Sequence, residues 1–76
     1  MRKLGDLSVG ETGRVWGAEG NLTRRLHDLG FTRGAIVECL FSAPGRGMRA
    51  YRVRGAVIAL RQRDAQQVAM EDGRHE

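Results

Sequence analysis

The sequence predicts a small, mainly β domain: a half-open barrel of about five short strands, with one helix inserted between the first and second strands. Three observations predict it. The chain has 76 residues, enough for one domain, because a chain this short buries only about 60% of the surface its unfolded form exposes. Apolar residues make up 41% of it and glycines number eleven, the composition of a folded, turn-rich chain rather than a disordered one. Short apolar runs are separated by glycine-bearing turns along most of its length, and only one stretch has a helical period. A barrel suits such strands, since curling the sheet hides most of its edges.

The elements follow in order. Residues 4 to 13 hold three apolar anchors, Leu4, Leu7 and Val9, among three glycines, and read as a lead-in with one tight turn. Arg14-Val15-Trp16-Gly17-Ala18 offers the first strand, and Trp16 is expected in the core, with a partner contact as the alternative. Asn21 to Gly30 is the helix. Asn21 can act as N-cap, and Leu22, Leu26 and Leu29 fall on one face, leaving Arg24, Arg25 and Asp28 outward. Gly30 is expected to end the helix in a left-handed conformation, with Phe31 folding back onto Leu26. A side chain at Gly30 should therefore cost on the order of 1 kcal/mol.

After Thr32-Arg33-Gly34, residues 35 to 43 read as a long strand in which Val37, Cys39 and Phe41 share the buried face opposite Glu38 and Ser42. The connection Ala43-Pro44-Gly45-Arg46-Gly47 carries the only proline and reverses the chain. Tyr51 and Val53 alternate with Arg52 and Arg54, Gly55 closes a hairpin, and Ile58 with Leu60 face the core from the next strand. Residues 63 to 66 suit one helical turn, residues 67 to 71 a last strand, and residues 72 to 76 a frayed tail outside a core of about 4 to 71.

The composition excludes several functional classes. No apolar run approaches the roughly 20 residues of a membrane-spanning helix. The chain opens Met1-Arg2-Lys3 and reaches Asp6 before any apolar stretch, so neither a signal peptide nor an anchor is read there and a cytoplasmic location is expected. One cysteine, Cys39, supplies neither a disulfide nor a multi-thiolate zinc site. His27 and the tail His75 are the only histidines, the carboxylates are scattered singly, and no nucleophile has an evident base, so no enzyme, cofactor or metal site is predicted. Neither glycine cluster, Gly10 to Gly13 nor Gly45 to Gly47, has the lysine and strand-to-helix setting of a phosphate-binding loop.

The net charge is +4, which invites a nucleic-acid reading. Twelve of the thirteen basic residues are arginine and they are interrupted by acids throughout, a pattern closer to a solvated surface than to a binding arm. A small barrel binding nucleic acid stays as the alternative function.

Several motifs together carry a family resemblance: Leu7 with Gly10 and Gly13-Arg14-Val15, then Arg25-Leu26-His27-Asp28-Leu29-Gly30-Phe31 with Gly34, Ala43-Pro44, Val53-Arg54-Gly55, Ile58-Ala59-Leu60-Arg61, and Asp64-Ala65 with Val68. In order and spacing they resemble the FeoA family of small accessory proteins of bacterial ferrous iron uptake. The resemblance runs from about residue 4 to residue 71. It implies an SH3-like β-barrel with a helix after the first strand, and a partner, the cytoplasmic GTPase part of the ferrous iron transporter FeoB. A related SH3-like domain ends the iron-dependent repressors, but those carry a helical DNA-binding module that is not seen in this sequence. Two departures from the family pattern stand out: Pro44-Gly45-Arg46-Gly47-Met48 is more basic and more glycine-rich than the family's loop, and Thr32 stands where the family tends to have proline.

For contact with such a partner the candidates are Arg24 and Arg25 on the helix and Arg46 and Arg49 in the loop, because guanidinium forks suit acidic or phosphate-bearing surfaces. An apolar seam beside Leu22 and Leu26 is the competing site, should the helix leave it uncovered.

Overall fold

The computed structural model describes residues 2–71. The expected frayed tail, with His75, lies outside the described residues. Five strands, β1 (Thr12–Ala18), β2 (Ile36–Ala43), β3 (Met48–Val53), β4 (Ala56–Arg61) and β5 (Val68–Met70), form one antiparallel sheet in the order β4-β3-β2-β1-β5. The sheet carries the helix α1 (Thr23–Asp28) between β1 and β2, as predicted, and a four-residue helical turn, α2 (Gln62–Ala65), crosses from the β4 edge to the β5 edge.

One face of every strand supplies the core. Val15, Val37, Cys39, Tyr51, Val53, Leu60, Val68 and Met70 point inward from the strands, Leu26 from α1 and Phe31 from the loop after it. Phe31 meets Tyr51 edge to face, with centroids 6.4 Å apart and planes at 89°, the arrangement that brings a ring's positive edge to its neighbour's negative face. The lead-in closes one end: Leu4 and Leu7 are buried, the Tyr51 hydroxyl donates to the Leu4 carbonyl at 3.3 Å, and Met70 N–H donates to the Arg2 carbonyl at 2.8 Å. Burial raises the Tyr51 phenol to about 12. Val9, expected as an anchor, is exposed beside the turn at Gly10.

Two further expectations fail, both at bulges. Trp16 is 42% exposed. Val15 takes the inward position and the β1–β5 register slips between Val15 and Gly17, so alternation turns the indole outward, where the Arg33 guanidinium lies 3.8 Å above it. Phe41 is 56% exposed, because the β2–β3 register slips between Cys39 and Phe41 and shifts the parity of everything after Leu40. Val37 and Cys39, before the slip, are fully buried as predicted.

The helix stop is as expected. Gly30 has φ +111°, Phe31 N–H donates to the Leu26 carbonyl and Gly30 N–H to the His27 carbonyl, both at 3.0 Å, the paired bonds of a Schellman cap. The start is not. Asn21 does not cap the helix, which begins at Thr23 after Leu22. Instead the Leu22 N–H donates to Gln67 Oε1 at 3.3 Å and the Thr23 hydroxyl to the Gly20 carbonyl at 2.8 Å, so a distant glutamine does the work assigned to a local asparagine.

Candidate docking groove

Helix α1 is too short to cover the sheet it leans on. Leu26 is its buried anchor, while Leu22, four residues before, and Leu29, three after, are only half-buried. A groove of about 750 Å³ therefore stays open between α1 and the β4 side of the barrel. Its apolar floor comes from Leu22, Leu26 and Leu29 on one wall and Met48 and Leu60 on the other, and Arg25, Arg61, Arg63 and Asp64 stand around it.

The charge of this groove is unbalanced because only Asp64 among the acids lines it while four others are paired elsewhere. Arg2 binds Glu11 at 2.7 Å, Lys3 binds Glu19 at 3.2 Å, and Arg14–Glu71 and Arg52–Glu38 approach to 3.8 Å across the outer surface of the sheet and its lead-in. The Arg2 guanidinium and the Ser8 N–H hold the Glu11 carboxyl down to about 2. By contrast the guanidinium groups of Arg25, Arg61 and Arg63 make no hydrogen bond or ion pair among the described residues. Three guanidinium groups and one carboxylate around an apolar floor can accept an acidic partner segment that also carries apolar side chains.

The four arginines predicted as contacts are not brought together. Arg24 and Arg25 are exposed on α1, but only Arg25 reaches the groove. Arg46 is exposed in the 3₁₀ turn Pro44–Arg46, away from the lining. Arg49 is not in the loop: it lies on β3, opposite Ser42 and Leu60. Its half-buried guanidinium donates to the Leu7 carbonyl, to Gln62 Oε1 at 3.5 Å and to Cys39 Sγ at 3.3 Å, and lies 5.9 Å from the Tyr51 ring. It ties the lead-in to β2 and α2. Arg61, Arg63 and Met48 belong to the groove and were not singled out in the sequence. Met48 reaches it at the start of β3, and Arg61 and Arg63 because β4 and α2 bring the chain back across the groove from Arg25, a juxtaposition over 36 and 38 positions that no local pattern announces.

Among the described residues there is no cluster of three or more histidine, cysteine or carboxylate side chains that could hold a metal ion, and no helix is long and apolar enough to cross a membrane.

A family model for the FeoA domain matches residues 2–72. Among solved structures, the chain is similar to the FeoA of Stenotrophomonas maltophilia complexed with zinc, a procaryotic SH3 domain protein, at 24% identity and TM-score 0.84, covering 93% of this chain and 91% of that one. It is similar to a FeoA-like protein from Clostridium acetobutylicum at 26% identity and TM-score 0.82, covering 100% and 94%. A manganese-dependent transcriptional repressor shares the fold over 88% of this chain but only 39% of its own, at 21% identity and TM-score 0.79. No match to a curated protein was found.

Proposed function

The chain belongs to the FeoA family, which is associated with ferrous iron transport, and from that premise we propose that it is a non-enzymatic, cytoplasmic accessory protein of bacterial ferrous iron uptake that binds and modulates the GTPase part of the transporter FeoB. The observation that supports this reading is the unneutralised arginine set on the α1 side of the barrel: Arg24 and Arg25 on the helix, Arg61 and Arg63 across the groove. Such a surface docks on carboxylates, and its guanidinium forks give geometric specificity as well as charge. Arg46 adds an exposed cation in the 3₁₀ turn Pro44–Arg46, outside the groove. Arg49 contributes by holding the barrel together, since both terminal nitrogens of its guanidinium are already engaged.

Modulation follows from differential binding. A partner that grips one nucleotide state of the GTPase more tightly shifts its population towards that state by the ratio of the two affinities. The test is calorimetric titration of the purified protein with the soluble GTPase portion of the transporter, with GDP and with a non-hydrolysable GTP analogue. Binding is expected, and the pair Arg24→Glu with Arg25→Glu should weaken it at least tenfold while leaving the thermal transition in place. Absence of binding in every nucleotide state, to the soluble portion and to the membrane-embedded transporter alike, overturns the proposal.

A further inference from the structure

The free edge of β4 faces the groove. β4 ends the sheet, and its ladder with β3 runs without a bulge from Val53↔Ala56 to Met48↔Arg61. The hairpin between them turns on two residues, Arg54 at φ 52° and Gly55 at φ 79°, the left-handed pair of a type I′ turn, which makes Val53 and Ala56 a hydrogen-bonded pair. The bond from Gln62 N–H to the Gly47 carbonyl at 2.6 Å sits at the same parity six residues on. Alternation then turns the N–H and C=O of Val57 and Ala59, and the N–H of Arg61, away from β3 towards the open edge. Among the described residues, the Val57 and Ala59 backbones make no hydrogen bond beyond the β3 ladder, while Arg61, as N-cap of α2, gives its carbonyl to the first turn of that helix and leaves only its N–H at the edge. The strand has no proline and no acid, and its one charge, Arg61, stands at its last position, so the edge from Ala56 to Leu60 lacks the devices that ordinarily blunt it.

We infer that β4 receives an extended, acidic segment of a protein partner as a sixth strand, laid between β4 and α1. This rests on the docking reading above and states its mode. Ala59 and Arg61 both line the groove, so a strand paired with them lies inside it. Its alternate side chains then face Leu22, Leu26 and Leu29, and its carboxylates meet Arg25, Arg61 and Arg63. Main-chain bonds supply the affinity and the alternating side chains the selectivity, as in other strand-addition sites flanked by a helix. Charge decides the occupant: a second copy of this chain would bring its own Arg61 and a net charge of +4 to a groove that already carries three unpaired cations, whereas an acidic segment neutralises them.

Two probes separate this inference from the reading it rests on: a synthetic blocked decapeptide alternating leucine and glutamate, and the soluble GTPase portion of the transporter. Amide hydrogen exchange and chemical-shift mapping are read on the full chain. The leucine–glutamate peptide is expected to slow exchange at Val57, Ala59 and Arg61. Its lysine-for-glutamate counterpart is expected to leave them unchanged. Ala59→Pro removes a free-edge N–H without touching the β3 ladder and should weaken the peptide at least tenfold. Should that variant fold poorly, Arg61→Glu with Arg63→Glu replaces it, with the same loss expected. Slowed exchange at the same three amides by the GTPase portion extends the result to the partner. Failure of the acidic peptide to protect the edge, equal binding by the lysine peptide, or concentration-dependent dimers that protect these amides without any probe overturns strand addition. If the GTPase portion binds while these amides stay unprotected, strand addition fails and the docking proposal stands. If the peptide protects the edge and the GTPase portion never binds, only the identity of the partner fails.

Discussion

Replacing Gly30 and Gly45 by alanine adds the same methyl group at two turns and should move stability in opposite directions. At Gly30 the added Cβ would lie 3.5 Å from Arg54 Cδ and 3.6 Å from Val53 Cγ2, ordinary contact distances. Space is therefore not the obstacle. The obstacle is φ, +111°, in a region where a side chain costs an L-residue about 1–2 kcal/mol. The smaller unfolded-state entropy of alanine returns about 0.4–1 kcal/mol of this, leaving a net loss of about 1 kcal/mol. At Gly45 a Cβ would meet nothing within 4 Å and the backbone is not left-handed, so only the entropy term acts and alanine stabilises by about 0.4–1 kcal/mol. The two variants should thus differ by about 2 kcal/mol. For a domain of this size that is a separation of about 8–16 °C in Tm, Gly30→Ala melting below the wild type and Gly45→Ala at or above it. Circular dichroism melts of the three proteins measure it. Coincident melting of the two variants would refute the argument that backbone conformation, and not room for the methyl group, fixes glycine at the end of α1.

Three more outcomes follow from the same structure. Arg49→Met should destabilise by about 1–3 kcal/mol in urea titrations, because it strips the Leu7 carbonyl of its donor, yet leave GTPase binding unchanged; a docking loss with full stability would return Arg49 to the contact surface. Cys39 is fully buried, so a thiol reagent should label it at the rate of unfolding and not at the rate of a free thiol, with labelling in the dead time as the contrary result. The Glu11 carboxyl is held at about 2 against an ordinary 4.5. A depressed acid stabilises the fold above its unfolded value and loses that contribution as pH falls through the folded one, so thermal stability should drop between about pH 4.5 and pH 2, and Glu11→Gln should flatten that limb of the profile.

The parts of the fold that local chemistry decides were legible in the sequence. The leucine spacing around Leu26, the stop at Gly30 and the turn at Gly55 each rest on interactions within a few residues, and each is found where the pattern puts it. What pattern could not reach was parity after a slip. One extra residue near Leu40 turns Phe41 outward, and another near Trp16 disturbs β1 beside β5, and a bulge is a property of two paired strands that neither strand's own alternation records. The inward Val15 did offer a clue to Trp16, since adjacent strand residues cannot share a face.

The docking groove was half legible for the same reason. Its α1 wall, Leu22 and Leu26 with Arg25 above them, was identified from helical spacing. The opposite wall, Met48, Leu60, Arg61 and Arg63, exists only after β4 and α2 fold back. Arg49 looked like a loop cation because β3 begins earlier, at Met48, than its apolar alternation indicates; its role depends on the Leu7 carbonyl 42 positions away.

Chemical-shift mapping of the labelled protein with the soluble GTPase portion of the transporter tests the account at its centre. Perturbed amides are expected to cluster on α1, β4 and α2, around Arg25, Ala59, Arg61 and Arg63, and added salt is expected to reverse them. Perturbations confined to the opposite face of the sheet, around Trp16 and Ile36, would contradict it.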